Sequence, residues 1–146
     1  DSFEHVATGP YTHLYPKPSY TETAYQILKR VPHVSVYRKG ELPERLHFGT
    51  SPRIGELVVM ADLGTQIFFR PGGIPRDFLA AGHGFDNKYP EMWAIFKAVG
   101  PDFRAGHRLS DPIPNITLYP LVCKILGLQP HHHDADERLA QSLLKK

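Results

Sequence analysis

Imidazoles are the side chains in this sequence best suited to chemistry, and one of them is set apart by its neighbours. His83 stands between two glycines in the run Gly82-His83-Gly84-Phe85-Asp86-Asn87. Glycine on both sides frees the backbone and removes side-chain walls, so a metal ion or a substrate can approach the ring closely. A neutral imidazole is a good zinc donor. On spacing alone, a glycine-rich turn carrying a surface histidine is the better account of the pattern, since one histidine between glycines is a weak signal. Asp86 and Asn87 read as supports of this loop rather than as ligands.

The remaining candidates are weaker. His131-His132-His133-Asp134-Ala135-Asp136 has a metal-binding composition, but three consecutive side chains do not readily converge on one ion from an ordered backbone. His5 and His13 read as loop histidines, His107 as exposed, and His47 as a core or edge residue between Leu46 and Phe48. Asp62 ends an apolar run, where open α/β sheets place functional groups; a turn-starting aspartate before Gly64 is the better explanation. Arg70 and Arg76 flank Pro71-Gly72-Gly73, which lacks the glycine spacing and Lys-Ser/Thr ending of a phosphate-cradling loop, so they read as solvated. The single cysteine, Cys123, excludes an internal disulfide and reads as buried packing.

Local pattern predicts the elements that would carry these residues. Short strands are expected at residues 6–8 and 12–15. Ser19-Tyr20-Thr21-Glu22 has the form of a capping box opening a helix, with Ala24, Ile27, Leu28 and Val31 on one face. The alternation across Val34, Val36 and Arg38 predicts a half-buried strand. Residues 39–45 read as a solvated turn or short helix, and residues 46–48 as a brief strand. Residues 57–62 form a continuous apolar run, the pattern of a strand covered on both faces, with residues 65–69 as an antiparallel partner. A helix is expected over residues 89–99, with Pro90 in its first turn. A second is expected over residues 116–127, capped by Asn115 and buried through Leu118, Leu121, Val122, Ile125 and Leu126. The last ten residues read as a short surface helix docking through Leu139, Leu143 and Leu144.

Composition narrows the function classes. The 146 residues suit one compact domain. A formal charge of +2 is too small to argue for nucleic acid or an acidic membrane. No stretch approaches a membrane span, and the N-terminus lacks a signal-peptide pattern. The sequence starts at Asp1 without an initiator methionine, which predicts a piece of a longer product.

The order Gly82-His83-Gly84-Phe85-Asp86-Asn87, Met92, Phe96, Ala98-Val99-Gly100-Pro101-Asp102-Phe103, Asn115-Ile116 and the run from Tyr119 to Leu128 resembles the C-terminal part of the nucleotide pyrophosphatase/phosphodiesterase family, within the alkaline phosphatase superfamily. Upstream, Tyr37-Arg38-Lys39-Gly40-Glu41-Leu42-Pro43-Glu44-Arg45-Leu46-His47-Phe48 and Ser51-Pro52-Arg53-Ile54 look like the same family. The histidine tract departs from it.

The resemblance implies an α/β fold, the C-terminal portion of an alkaline-phosphatase-like mixed-sheet sandwich with flanking helices, with residues 1–146 as one segment of a catalytic domain. It implies hydrolysis of phosphodiester or pyrophosphate bonds at a site of two zinc ions about 4 Å apart, which clamp the attacking and leaving oxygens. His83 is the metal ligand that carries over. The nucleophile and the other ligands lie upstream, so the segment alone is expected to be inactive. A nucleotide or other phosphodiester substrate, the remainder of the catalytic domain as partner, and an extracellular, periplasmic or membrane-facing location follow from the same resemblance. The alternatives are a non-catalytic binding or interaction module on the same scaffold, and a related hydrolase of phospholipid head groups.

Overall fold

The computed structural model describes residues 3–5, 9–69 and 81–145. The expected strand at residues 6–8, the His5 side chain, and Arg70 and Arg76 lie outside the described residues. Two compact units are present, Asp1–Trp93 and Ala94–Lys146, and each is described by itself.

The first unit is built on a four-stranded sheet. Its strands are β1 (Phe3–His5), β2 (Tyr11–Pro16), β3 (Val34–Arg38) and β4 (Leu57–Ala61). They lie in the order β1-β2-β4-β3 and every pairing is antiparallel. The apolar run of β4 takes the centre, with Leu14 opposite Leu57 on one side and Tyr37 opposite Val58 on the other. Because successive side chains point to opposite faces, Leu57 and Val59 join Leu14, Ala24 and Tyr25 beneath α1 (Thr21–Leu28). Val58 joins Leu42 and Ile54 on the reverse face. Leu57 and Val58 are almost wholly buried, so both faces of this strand are covered, as its sequence predicts.

Several local expectations are corrected. No capping box forms. A 3₁₀ turn, Pro18–Tyr20, runs straight into α1 and leaves Tyr20 at the N-cap with no side-chain cap bond. Glu22 instead accepts from Gln26 (2.8 Å) and from Arg38 (2.9 Å), whose guanidinium stacks 3.7 Å from the Tyr25 ring centroid. Tyr25 thus turns the helix so that Ile27 and Val31 stay exposed. Residues 46–48 are not a strand. They follow a 3₁₀ turn, Glu44–Leu46, and His47 is left-handed with φ 46°, because this segment turns back to seat Leu42 and Leu46 against the sheet. Residues 65–69 do not pair with β4, since β2 and β3 already occupy both of its edges. Ile67 bridges Gly9 instead.

The helix expected over residues 89–99 is absent. Only the 3₁₀ turn Pro90–Met92 forms, and Trp93 is extended with ψ 144°. Ile95 is 96% and Val99 86% exposed, so this part of the apolar stripe is not buried against the described residues. A helix this short does not sustain itself without tertiary packing.

The second unit packs α2 (Leu118–Leu126) on α3 (Glu137–Ser142). Leu121, Ala140, Leu143 and Leu144 form its centre, with Phe103, Leu109 and Ile113 against them. Asn115 does not cap α2; it opens a 3₁₀ turn, Asn115–Thr117, that leads into the helix. Asp136 caps α3 by accepting from the Arg138 N–H at 2.8 Å. Val122 and Leu126, expected inside, are exposed. They continue an outward apolar stripe from Ile116 and Tyr119, while Leu118, Leu121 and Ile125 face α3.

Gly55 marks where packing is tightest. A Cβ there would lie 2.5 Å from the Leu14 carbonyl oxygen and 2.9 Å from its nitrogen, and Leu14 itself is buried. Gly55→Ala is expected to destabilise the protein by about 1–3 kcal/mol through overpacking, and Leu57→Ala by about 2–5 kcal/mol through an unfilled cavity. Urea unfolding midpoints measure both, and an unshifted midpoint for Gly55→Ala would refute the close approach.

Candidate functional site

The loop that carries His83 belongs to the sheet unit and passes next to the start of β2. Gly9 and Ile67 exchange backbone hydrogen bonds of 2.9 and 2.8 Å, and the Ala61 N–H donates to the Pro10 carbonyl at 2.7 Å. Against this fixed corner, a Cβ on Gly82 would stand 3.1 Å from Gln66 Nε2, and one on Gly84 would stand 3.7 Å from Pro10 Cγ. Gly84 has φ +91°, a conformation open to glycine and strained for other residues. His83 is exposed, and no described residue bonds its ring.

The far end of the loop is held firmly. Arg45 Nη1 donates to Asp86 Oδ1 at 2.8 Å and to Asn87 Oδ1 at 3.0 Å, while Nη2 donates to Asp86 Oδ2. The Lys88 N–H adds a 2.9 Å bond to Asp86 Oδ1. The Asp86 side chain is only 10% exposed. Its carboxyl titrates below the usual aspartate range, first because of the Arg45 hydrogen bonds and then because of the Lys88 N–H, against the opposing effect of burial. Beyond it, the Tyr89 N–H donates to the Asp86 carbonyl at 3.1 Å, and Trp93 Nε1 donates to the Asn87 carbonyl at 3.1 Å. Asp86 and Asn87 therefore support the loop, with their side-chain oxygens turned to Arg45.

Sequence reasoning missed Arg45, which sits inside a charged run that reads as solvated. Its partner lies 41 residues away, and no local spacing encodes that pairing.

The other candidates are spread over the two units. His13 is half-buried; its Nδ1 accepts from the Gly55 N–H at 3.4 Å, and its ring meets the edge of Phe48 at 5.6 Å. Burial lowers its pKa, which suits a neutral packing residue. Asp62 starts a turn, its carbonyl accepting from the Thr65 N–H at 2.9 Å, with His33 Nδ1 3.8 Å from its carboxylate. His47 and His107 are exposed. In the histidine tract, the His131 N–H donates to the Tyr119 hydroxyl at 2.8 Å, and His133 Nδ1 accepts from the Ala135 N–H at 3.2 Å. The tract is thus folded as a turn. Cys123 is buried. Among the described residues no three His, Cys, Asp or Glu side chains gather as a metal site. Among the described residues, His83 is thus an exposed imidazole that could give a single donor nitrogen to an ion.

Comparison with known proteins is specific. The model of the type I phosphodiesterase / nucleotide pyrophosphatase family matches residues 1–86. Ectonucleotide pyrophosphatase/phosphodiesterase family member 7 of Rattus norvegicus is 36% identical over 144 residues, which are 98% of this chain and 32% of that protein. The solved structure of human ectonucleotide pyrophosphatase / phosphodiesterase 5 superposes with a TM-score of 0.91 at 31% identity, over 100% of this chain and 38% of that one. An inactive form of the murine protein 5 in complex with AMP superposes with a TM-score of 0.84 at 30% identity, over 99% of this chain and 38% of that one. The chain spans about a third of the length of these relatives.

The Arg45–Asp86 pairing gives stability a defined pH dependence. The folded-state pKa of Asp86 lies below its ordinary 3.8. The pairing therefore contributes fully above that value, and its contribution is lost as pH falls through the folded-state pKa. The gap in melting temperature between the native protein and Asp86→Asn should be widest near neutrality and should close below about pH 4. A gap independent of pH would show that the carboxylate charge is not what holds the loop.

Proposed function

Because this chain belongs to the type I phosphodiesterase / nucleotide pyrophosphatase family, we propose that it serves the metal-dependent hydrolysis of phosphodiester or pyrophosphate bonds. In this reading His83 gives one nitrogen to a zinc ion whose other ligands, with the nucleophile, come from polypeptide outside residues 1–146. The family match is the observation that carries it, since its span of residues 1–86 includes His83, Asp86 and Arg45. The exposed ring between two glycines, on a loop held from its far end, supports the assignment. When bound, zinc supplies a Lewis acid that stabilises charge on the attacking and leaving oxygens.

The residues of this chain act around that centre. Gly82 and Gly84 leave the imidazole unscreened. Asp86, committed to Arg45, keeps its carboxylate off the ion. The outward apolar stripe of α2 supports the rest of a catalytic domain as partner. A nucleotide is the favoured substrate class, in keeping with the AMP complex of the murine relative. The location that goes with this reading is extracellular, periplasmic or membrane-facing. No described helix is long and apolar enough to cross a membrane.

The test uses the full-length protein. His83→Ala should lower zinc content, measured by plasma mass spectrometry, and should lower turnover of a chromogenic aryl phosphodiester by more than about a hundredfold, beyond the range reached by losing a supporting residue. Unchanged zinc and unchanged turnover would refute His83 as a ligand, whereas a native protein with neither zinc nor turnover would be a non-catalytic module on the same scaffold.

A further inference from the structure

His83 lies three residues before Asp86, and the glycines beside it carry little conformational preference of their own. The approach of the imidazole must then be set by whatever fixes the loop from outside. Arg45 does this from a rigid base. The 3₁₀ turn that carries it is closed by the Leu46 N–H to the Pro43 carbonyl (3.0 Å) and by the His47 N–H to the Glu44 carbonyl (2.9 Å). Leu42 and Leu46, on either side, belong to the apolar cluster of Val58 and Ile54 on the reverse face of the sheet. A continuous path therefore runs from the buried centre of β4, through this turn, to the guanidinium, and from there to Asp86 and Asn87.

The contact is a two-pronged one. Two guanidinium nitrogens meet the two Asp86 oxygens, and one of them also meets Asn87. A planar fork fixes the direction of a carboxylate as well as its distance, which an ammonium group cannot do. Lys88 Nζ also lies 3.9 Å from Asp86, but it is two residues along the same loop and moves with it. Arg45 therefore ties the loop to the sheet in a way that Lys88 cannot.

We infer that Arg45 is a positioning residue for His83: its fork, closed on Asp86 and Asn87, sets where the imidazole is presented. This rests on the reading of His83 as a zinc donor and adds to it a residue 38 positions upstream (83 − 45 = 38) that acts through Asp86 and Asn87.

The experiment is a zinc titration of the chelator-stripped full-length protein against a chromophoric competitor, with metal-free melting temperatures measured alongside. Arg45→Ala and Asp86→Asn should each weaken zinc binding by about tenfold to a hundredfold, the usual cost of losing a residue that orients a ligand. The double variant should be no weaker than the weaker single one, because both remove the same contact. Arg45→Lys keeps the charge without the fork and should restore only part of the affinity; it also serves if the alanine variant does not fold. Lowered melting temperatures with an unchanged zinc dissociation constant would overturn the inference and leave Arg45 a purely structural residue. His83→Ala separates the two levels. If it alone weakens zinc binding, only the role of Arg45 falls. If it too leaves zinc binding unchanged, the ligand assignment falls with it.

Discussion

Burial of β4 on both faces, with both of its edges paired, is the constraint from which the first unit follows. A strand so enclosed has both edges paired and all of its side chains but Met60 buried. β2 and β3 take its edges, α1 takes one face, and residues 39–56 must fold back over the other. That return segment is irregular because its task is to seat Leu42 and Ile54 against Val58, which turns achieve and a further strand could not. It is also the segment that lifts Arg45 to the rim of the sheet. The position of a surface cation is thus decided by the packing of aliphatic side chains beneath it.

The His83 loop shows how a flexible sequence is given a definite place. Glycine on each side of the histidine leaves room for a large ligand and removes local guidance. Order is supplied from elsewhere: the Gly9-Pro10 corner on one side, and the Arg45 fork with the Trp93 indole bond on the other. The ring stays exposed, and the groups that hold the loop bond its far end and leave the imidazole untouched. The depressed titration of Asp86 expresses the same arrangement electrostatically, because a carboxylate paired with a guanidinium remains an anion and stays where it is.

The second unit carries a different message. Helix α2 is apolar on the side that meets α3 and also on the opposite side, where Tyr119, Val122 and Leu126 are exposed. Surface helices ordinarily pair one apolar stripe with a polar back. Helix α2 therefore departs from that pattern, with Tyr119, Val122 and Leu126, and Ile116 in the turn before it, exposed on the side away from α3. The stripe of Ile95 and Val99 is likewise exposed. Its pattern is helical, but it is not buried against the described residues and does not coil.

What the sequence determined by itself was whatever one segment settles with its own pattern. The enclosed strand at Leu57–Ala61, the strand Val34–Arg38, helix α2 ending at Gly127, and the open presentation of His83 all depend on residues within a few positions of each other, and so does the family resemblance carried by those motifs. What only the tertiary structure decided depends on competition between distant groups. Glu22 left its capping role because Arg38 stood across from it. Residues 65–69 lost β4 because both edges were taken, and Ile67 turned to Gly9. Asp86 found its partner in Arg45, 41 residues away. Sequence spacing encodes periodicity and local bonding, whereas a fork closed between two loops exists only after the strands beneath them have packed.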